Sequence, residues 1–435
     1  MVKKIKKKAK SKGRPQQGTS NHAVGMKADS FSFESLAYSE FGGSQRLKRS
    51  KYPIKVSVPQ INPETADYIS DLIDLGCLST HSGKDHAERE FTKLFDMLAD
   101  EPLGLDVNMV SSGTAALHLA LLVYDIGPGD LVYVPNFTFP ATVNVVKLVG
   151  ATPVLVDVEP GSYVISGETL RAAITESKGL GRPRAVIPVH EFGFPAPMDE
   201  VMSIAETHDL IVIEDAACAI GGMFGDQPLG TIGHIGCVSL HPRKIITSAE
   251  GGVVVTRDLE RGRRIRRLKD HGIERDEQGG ISFVEPGYNY KMSDIHAGLL
   301  LVQVDWLTDF LEIRDQLALR YDELLAPLVE RGFLTLPKRH PGQVWQSYVV
   351  TLAPQFSQKS VSTALRAHQI ETNAGATVLS TIPHLNEQAT SRLTKGVAHS
   401  VLHDHTLALP LCQDYDHEIV KEVVEALTEV LSSQA

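Results

Sequence analysis

Residues 210–219 read LIVIEDAACA, four apolar residues followed by two acids and a run of small residues. A short apolar run closed by polar residues predicts a buried strand of a parallel sheet. Because open α/β sheets bind ligands beyond the carboxyl ends of their strands, Glu214 or Asp215 is expected to bring a carboxylate to a ligand site. A buried carboxylate there needs a positive partner. The alternative interpretation is that Asp215 caps the start of a helix.

Short apolar runs and helical periodicity alternate on both sides of this stretch. Strands alternating with helices predict an α/β fold with a large, mainly parallel, doubly wound sheet that is covered on both faces. Strands are predicted at residues 131–134, 153–156, 185–189, 210–213 and 252–256, and helices at 115–123, 141–149 and 198–207.

The pattern changes towards both ends of the chain. Residues 1–50 are rich in Lys, Gly, Ser and Gln without a sustained apolar period, which predicts a basic, disordered N-terminal tail. Near the other end, a strand at 347–352 and helices at 360–368 and 417–431 predict a smaller α+β unit. We therefore expect the tail at 1–50, a large α/β domain at 51–305 that includes two N-terminal helices, and a C-terminal α+β domain at 306–435.

Composition argues against several classes of protein. The 435 residues are 42% hydrophobic and 22% charged, an ordinary balance for a globular protein. No apolar run approaches the ~20 residues that a membrane span needs. The cysteines lie far apart without a C-x-x-C pair, which indicates neither a disulfide framework nor a zinc site. These cysteines are Cys77, Cys218, Cys237 and Cys412. We expect a cytoplasmic protein that binds no metal.

Charge is distributed unevenly along the chain. Eight of the 43 Lys and Arg residues fall in residues 1–14, so the remaining 35 face 53 acidic residues. An acidic body argues against a nucleic-acid-binding fold, since phosphate contacts need a basic face. The tail itself could touch nucleic acid or an anionic membrane, or it could be a solvated arm.

A helix start and a loop lysine add two further candidate groups. Residues 111–121, SSGTAALHLAL, place Gly113, Thr114 and Ala115 in a first helical turn, where free N–H groups can hold a phosphate. Lys244 lies between two apolar strands, where it could form a Schiff base, although a surface lysine beside Arg243 is the simpler alternative.

Taken together, a phosphate-binding helix start, a strand-end aspartate and a loop lysine are the three anchors of pyridoxal phosphate. This cofactor needs its phosphate held, its ring nitrogen kept protonated by an acid and its aldehyde captured by an amine. The joint pattern therefore favours a pyridoxal phosphate site formed by Asp215, Lys244 and the helix that starts near Gly113.

From about Val56 to the C-terminus the chain resembles the DegT/StrS-type sugar aminotransferases, a family of fold-type-I pyridoxal phosphate enzymes. The resemblance rests on a connected series of segments. They are SSGTAALHLAL, IGPGDLVYVPNFTFPATVN, GATPVLVDVEP, AVIPVHEFGFPAPMDEV, IEDAACAIGG, GTIGHIGCVSLHPRKIITSAEGGVVVT, KDHG and GYNYKMSDIHAGLLLVQ. The resemblance implies a large mainly parallel sheet domain, a smaller α+β domain and pyridoxal 5′-phosphate as cofactor.

The resemblance also implies roles for single residues. Lys244 would carry the Schiff base and move protons, Asp215 would pair with the pyridine nitrogen, and Phe139 would stack on the ring. Asn289 would reach the phosphate of the neighbouring subunit, which implies a homodimer. The remaining contacts are Thr114, Ala115 and Ser239 to the phosphate, with His190 and His271 near the substrate.

Several positions depart from the family pattern. Cys218 stands where His or Gln is usual, close to the cofactor, and a thiol is a poorer hydrogen-bond donor. Leu240 replaces a usual Phe, and Ser248 and Ala249 replace a usual Thr-Gly. Residues 373–385 match the family's substrate-facing loop only loosely. The cofactor machinery is therefore expected to be intact, while the sugar end differs.

The function predicted from these residues is transfer of an amino group from glutamate or glutamine to a keto sugar. The expected acceptor is a nucleotide-linked sugar of amino-sugar, polysaccharide or secondary-metabolite biosynthesis. A sugar dehydratase is disfavoured, because those relatives typically replace the lysine by histidine. Two alternatives stay open: a cyclitol or aromatic-precursor aminotransferase, and a non-catalytic regulator with the same fold that uses the basic tail.

Overall fold

The computed structural model describes residues 53–61, 64–76, 78, 83–276, 278–385 and 396–435. At its centre is a seven-stranded sheet made of short apolar segments, as the alternating pattern predicts. The predicted tail at 1–50 lies outside the described residues. The strands of the sheet are β1 (Asp106–Val110), β2 (Asp130–Pro135), β3 (Thr152–Val156), β4 (Arg182–Val186), β5 (Ile211–Asp215), β6 (Ile235–Ser239) and β7 (Gly252–Thr256).

Strand order in this sheet is β1-β7-β6-β5-β4-β2-β3. The neighbours from β6 through β3 pair in parallel, whereas β7 runs antiparallel to both β1 and β6. Parallel neighbours need crossover connections, which the intervening helices supply. The carboxyl ends of β5 and β6 consequently meet at one edge, where the segments after Asp215 and Ser239 leave the sheet.

Helices cover both faces of the sheet, so alternate side chains of one strand enter different cores. Val132 and Val134 pack with the helix that starts at Gly113, while Tyr133 between them packs with the opposite core. The helices are α1 (Glu64–Asp74), α2 (Gly83–Ala99), α3 (Gly113–Val123), α4 (Ala141–Leu148), α5 (Gly167–Glu176), α6 (Met198–His208), α7 (Leu259–Leu268), α8 (Asp294–Val304), α9 (Leu307–Glu330), α10 (Gln358–Ala367) and α11 (His417–Gln434).

A smaller α+β layer follows the long helix α9. Three antiparallel strands, β8 (Leu334–Thr335), β9 (Tyr348–Leu352) and β10 (Thr406–Leu409), form its sheet in that order. Its own apolar core includes Tyr321, Tyr348 and Leu427. The predicted fold class is confirmed: a large mainly parallel sheet with a smaller C-terminal α+β part. The boundary at 305/306 stays a prediction, since Pro53–Ala435 form one compact unit.

Strand bounds differ from expectation in two places near the site. The strand predicted at 185–189 is observed as Arg182–Val186, and Pro188, which has no N–H to donate, lies beyond its end. The strand predicted at 210–213 extends to Asp215. A bridge between Val189 and Asp215 then brings the turn after β4 against the end of β5.

Candidate active site

Asp215 is the last residue of β5, and its carboxylate is buried at 4% exposure. The Thr142 hydroxyl donates to Oδ2 at 2.8 Å, and the Ala217 N–H donates to Oδ1 at 3.1 Å. Burial raises the pKa of Asp215, an effect that these two hydrogen bonds and nearby Lys244 partly offset. A cationic group placed against this carboxylate would therefore be strongly stabilised.

Glu214 points away from this site, because successive side chains of a strand face opposite sides. Its fully buried carboxylate accepts hydrogen bonds from the N–H groups of Gly230, Ile232 and Gly233. The His190 ring also contacts it, with 3.0 Å between Nε2 and Oε2. Of the two acids at this strand end, only Asp215 is placed to meet a ligand.

His190 differs from the expectation of a substrate-side residue. Its side chain is fully buried, and the Ala196 N–H donates to Nδ1 at 3.1 Å. Because Nδ1 accepts, Nε2 carries the proton and donates to Glu214. We therefore revise its expected role from substrate contact to support of Glu214.

Lys244 lies in the loop after β6, beside the residues that follow Asp215. Lys244 is half-buried, and its Nζ donates to Cys218 Sγ at 3.1 Å. Burial alone would lower the pKa of Lys244, but Cys218, Asp215 and Glu191 outweigh it and the net shift is upward. Burial raises the pKa of Cys218, so the pair at neutral pH is an ammonium against a neutral thiol.

Glu191 is a further acid at this site that the sequence analysis did not single out. It lies in the turn after His190 at 5% exposure, and Phe192 beside it has a φ of 56°. Burial raises the pKa of Glu191 to about 7, although a hydrogen bond with Thr138 opposes the shift. The sequence HEFG does not indicate which way the Glu191 side chain faces, so its proximity to Lys244 could not be predicted.

The start of α3 lies directly against Ser239 at the end of β6. A Cβ on Gly113 would come within 2.8 Å of the Ser239 Cβ, so only glycine fits without a shift. Ser112 caps the helix by accepting the Ala115 N–H at 3.0 Å. That bond uses the backbone donor of Ala115, whereas Thr114 is exposed in the same first turn. The helix dipole and the Ser239 hydroxyl together suit an anion.

These groups fit pyridoxal phosphate by the chemistry of the donors. The site joins a buried carboxylate that calls for a cation, a lysine amine beside it, and a glycine-tight helix start next to a hydroxyl. These are the partners that a protonated pyridine nitrogen, an aldehyde and a phosphate need. Asp215, Lys244, Gly113, Thr114 and Ser239 would hold the three ends of the cofactor.

The other predicted contacts lie in different surroundings. Phe139 is 70% exposed, which leaves its ring face open to a partner. Asn289 is exposed, and its Oδ1 accepts from Lys291 Nζ at 2.9 Å. His271 is exposed with a φ of 60°, and its N–H donates to the Tyr288 carbonyl. Their predicted roles in ring stacking, the neighbouring site and substrate contact stay predictions.

Within the described ranges, no three His, Cys, Asp or Glu side chains are grouped closely enough to hold a metal ion. Among the helices in those same ranges, none combines the length and apolar character needed to cross a membrane.

The mainly parallel sheet with its strand-end aspartate, loop lysine and helix-start cradle defines a fold-type-I pyridoxal phosphate-dependent enzyme. Comparison with known proteins narrows this class. The chain belongs to the DegT/DnrJ/EryC1/StrS aminotransferase family, which it matches over residues 60–428. The resemblance seen in the sequence is thereby confirmed, and with it a pyridoxal phosphate-dependent aminotransferase.

Individual relatives agree with this family. A UDP-4-amino-4-deoxy-L-arabinose–oxoglutarate aminotransferase of Shewanella sediminis is 33% identical over 393 residues, covering 86% of this chain and 97% of that protein. A Brucella abortus DegT/DnrJ/EryC1/StrS aminotransferase matches with a TM-score of 0.75 and 29% identity, covering 84% and 95% of the two chains. A Streptococcus pneumoniae protein assigned as a sugar aminotransferase, in its PLP form, matches with a TM-score of 0.78 and 25% identity, covering 88% and 100%.

Proposed function

We propose that this chain transfers an amino group from glutamate or glutamine to a keto sugar carried on a nucleotide. The observation that carries the proposal is the buried cluster in which Lys244 lies against Cys218, with Asp215 held by Thr142 beside it. Lys244 is thus surrounded by acidic groups whose pKa values are raised. Perturbed pKa values of this kind are typical of sites where a reaction moves protons and charge.

Each residue has a distinct task in this proposal. Lys244 would hold the cofactor covalently and would carry the proton that moves at the substrate carbon. Asp215 keeps the ring nitrogen protonated, and Thr142 fixes the orientation of the carboxylate. Gly113 and Ser239 hold the phosphate. When bound, pyridoxal phosphate supplies an electron sink for the carbon that gains or loses the amino group.

The substrate class is proposed from the relatives. The Shewanella protein is named for a UDP-linked 4-amino sugar and oxoglutarate, which is the product of deaminated glutamate. A nucleotide-linked keto sugar is therefore the acceptor to test first. A cytoplasmic location is part of the proposal, since the Cys218 thiol beside Lys244 needs a reducing compartment to stay free.

The test is the absorption spectrum of the purified protein with pyridoxal phosphate, followed by glutamate or glutamine. We expect a visible band that glutamate or glutamine converts to the pyridoxamine form, and that a UDP-linked 4-keto sugar then restores. Lys244→Ala should lose the band, whereas Lys421→Ala, an exposed lysine on α11, should keep it. A wild-type band that neither donor converts contradicts aminotransfer, and the absence of any Lys244-dependent band contradicts the enzyme itself.

We also propose a homodimer in which Asn289 contacts the neighbouring site. The hairpin of Ile273–Arg275 and Ile281–Phe283 precedes Asn289 in the chain. It exposes large apolar side chains, with Phe283 72% and Ile281 53% exposed. Apolar exposure of this kind is typical of a surface that a second copy covers. Light scattering of the purified protein should give twice the chain mass.

A further inference from the structure

The backbone on both sides of Lys244 is bound by glutamine side chains from much later in the chain. Gln346 Nε2 donates to the Arg243 carbonyl at 2.7 Å, and its Oε1 accepts the Ile245 N–H at 3.2 Å. Gln413 Nε2 donates to the Ile245 carbonyl at 3.3 Å. A single amide thus spans Lys244, and a second amide holds the residue after it.

The two glutamines are themselves fixed by one buried cation. Arg314, 2% exposed on α9, donates from Nη2 to the Gln346 carbonyl and from Nη1 to Gln413 Oε1, both at 2.7 Å. Its Nε donates to the Trp345 carbonyl at 2.6 Å. Burial lowers the pKa of Arg314 to about 10, so it remains charged at neutral pH. The guanidinium fork thereby holds the backbone of Gln346 and the side-chain amide of Gln413 beside the lysine loop.

We propose that Gln346 and Gln413, oriented by Arg314, are positioning residues for Lys244. We call the two glutamine amides, together with the arginine that holds them, the amide bracket. A lysine side chain has four rotatable bonds, so the direction of its amine depends on how firmly its backbone is held. Neutral amides can hold the loop without adding charge near Lys244, whereas an acid or a base there would shift its pKa. The inference deepens the proposed function and rests on it, because it assigns these residues to the covalent lysine.

The first experiment measures hydrogen exchange of the lysine loop in cofactor-free protein. Gln346→Ala removes the acceptor of the Ile245 N–H, so that amide should exchange at least about tenfold faster. The Cys237 and Val238 amides of β6, which pair with other strands, should be unchanged. Equal acceleration of loop and strand, or no acceleration at all, would overturn the proposal. This readout is independent of any enzyme activity.

The second experiment uses Gln413→Glu, which keeps an acceptor for Arg314 but loses the donor to Ile245. The matched control is Gln343→Glu, since Gln343 Oε1 accepts the His340 N–H and no described hydrogen bond joins this side chain to the lysine loop. With loaded enzyme we expect kcat to fall at least about tenfold for Gln413→Glu, because the loop loses the donor to the Ile245 carbonyl, and misplacing a reacting group by 1 Å can cost 10²-fold. The added carboxylate should also shift the pH midpoint of the visible absorption band. The KM of Gln413→Glu for the amino donor should stay within about twofold of the wild-type value. The kcat of the control Gln343→Glu should also stay within about twofold of wild type.

The two experiments separate two kinds of failure. If wild-type protein shows no conversion by glutamate or glutamine, the proposed function fails, while the exchange of the Ile245 amide still reports on the amide bracket. If wild-type protein converts normally and Gln413→Glu matches its control in kcat and in the pH midpoint of the visible absorption band, the amide bracket does not position Lys244.

Discussion

Replacing Glu191 by Gln should make the protein's stability less sensitive to alkaline pH. The carboxyl of Glu191 is 5% exposed, and its pKa rises from 4.5 to about 7 on folding, chiefly through burial. Because the folded pKa is the higher one, the folded state binds the proton more tightly than the unfolded chain does. Below pH 4.5 the carboxyl is protonated in both states and does not lower the free energy of unfolding. As pH rises from 4.5 through 7, the free energy of unfolding falls, because the unfolded chain ionises first.

The magnitude follows from the two pKa values. A carboxyl that titrates at 4.5 unfolded and at about 7 folded costs the folded state about 1.4 kcal/mol at pH 5.5 and about 3.4 kcal/mol at pH 8.5. Glutamine carries no titrating group, so this cost disappears in the variant. Any fixed effect of the substitution, such as an altered bond to Thr138, cancels between the two pH values. The variant should therefore gain about 2 kcal/mol relative to wild type over this interval.

The assay is urea unfolding of cofactor-free wild type and Glu191→Gln at pH 5.5 and 8.5. Glu206→Gln is the matched control, because Glu206 is an exposed acid on the neighbouring helix α6. We expect the difference in unfolding free energy between wild type and that control to be the same at both pH values. If the difference between wild type and Glu191→Gln is the same at both pH values, Glu191 does not have a raised pKa and the reasoning is refuted.

Three further changes test other parts of the site. Asp215→Asn should reduce single-turnover conversion by glutamate at least about 100-fold, the scale of losing one preorganised electrostatic partner, with folding retained by circular dichroism. Gly193→Ala should destabilise by about 3 kcal/mol or more, since its Cβ would meet a backbone oxygen at 2.0 Å. Gly179→Ala, also at positive φ but in open space, should cost only about 1–2 kcal/mol in the same urea assay. Mixing Lys244→Ala with Asn289→Ala chains should restore about a quarter of wild-type activity if Asn289 completes the neighbouring site, and none if it acts within its own chain.

The sheet and the places of Asp215, Lys244 and Gly113 at its edge could be predicted because their signals are local. Each strand is a short apolar run, and parallel strands place their following residues at one edge. Asp215 is the last residue of one such strand, Lys244 lies in the loop after another, and Gly113 opens the helix that follows β1. Each of these features depends on residues that are adjacent in sequence, so periodicity and turn residues are enough to predict it.

Other parts depend on which elements pack together, and single letters do not reveal that. His190 lies beyond the end of β4 as Lys244 lies beyond the end of β6, yet its ring contacts Glu214. Glu191, its neighbour, is the acid whose charge acts on Lys244. Thr142 contacts Asp215 from a helix that begins 74 residues earlier in the chain. Each of these contacts depends on which strands are neighbours in the sheet, and the sequence does not specify that order.

The position of Lys244 itself shows how far this dependence extends. Within its own loop the backbone makes a bond from Lys244 N–H to the His241 carbonyl at 2.8 Å and one from Ser248 to Leu240 at 3.0 Å. The groups next to Lys244 are held by Gln346 and Gln413, which lie beyond residue 305. All predicted cofactor contacts, in contrast, lie between residues 113 and 289. A fragment ending at 305 would therefore contain every residue expected to touch the cofactor and still lack the side chains that fix its lysine. The smaller C-terminal part thus contributes hydrogen bonds to the loop that carries Lys244, even though none of its residues is predicted to contact the cofactor.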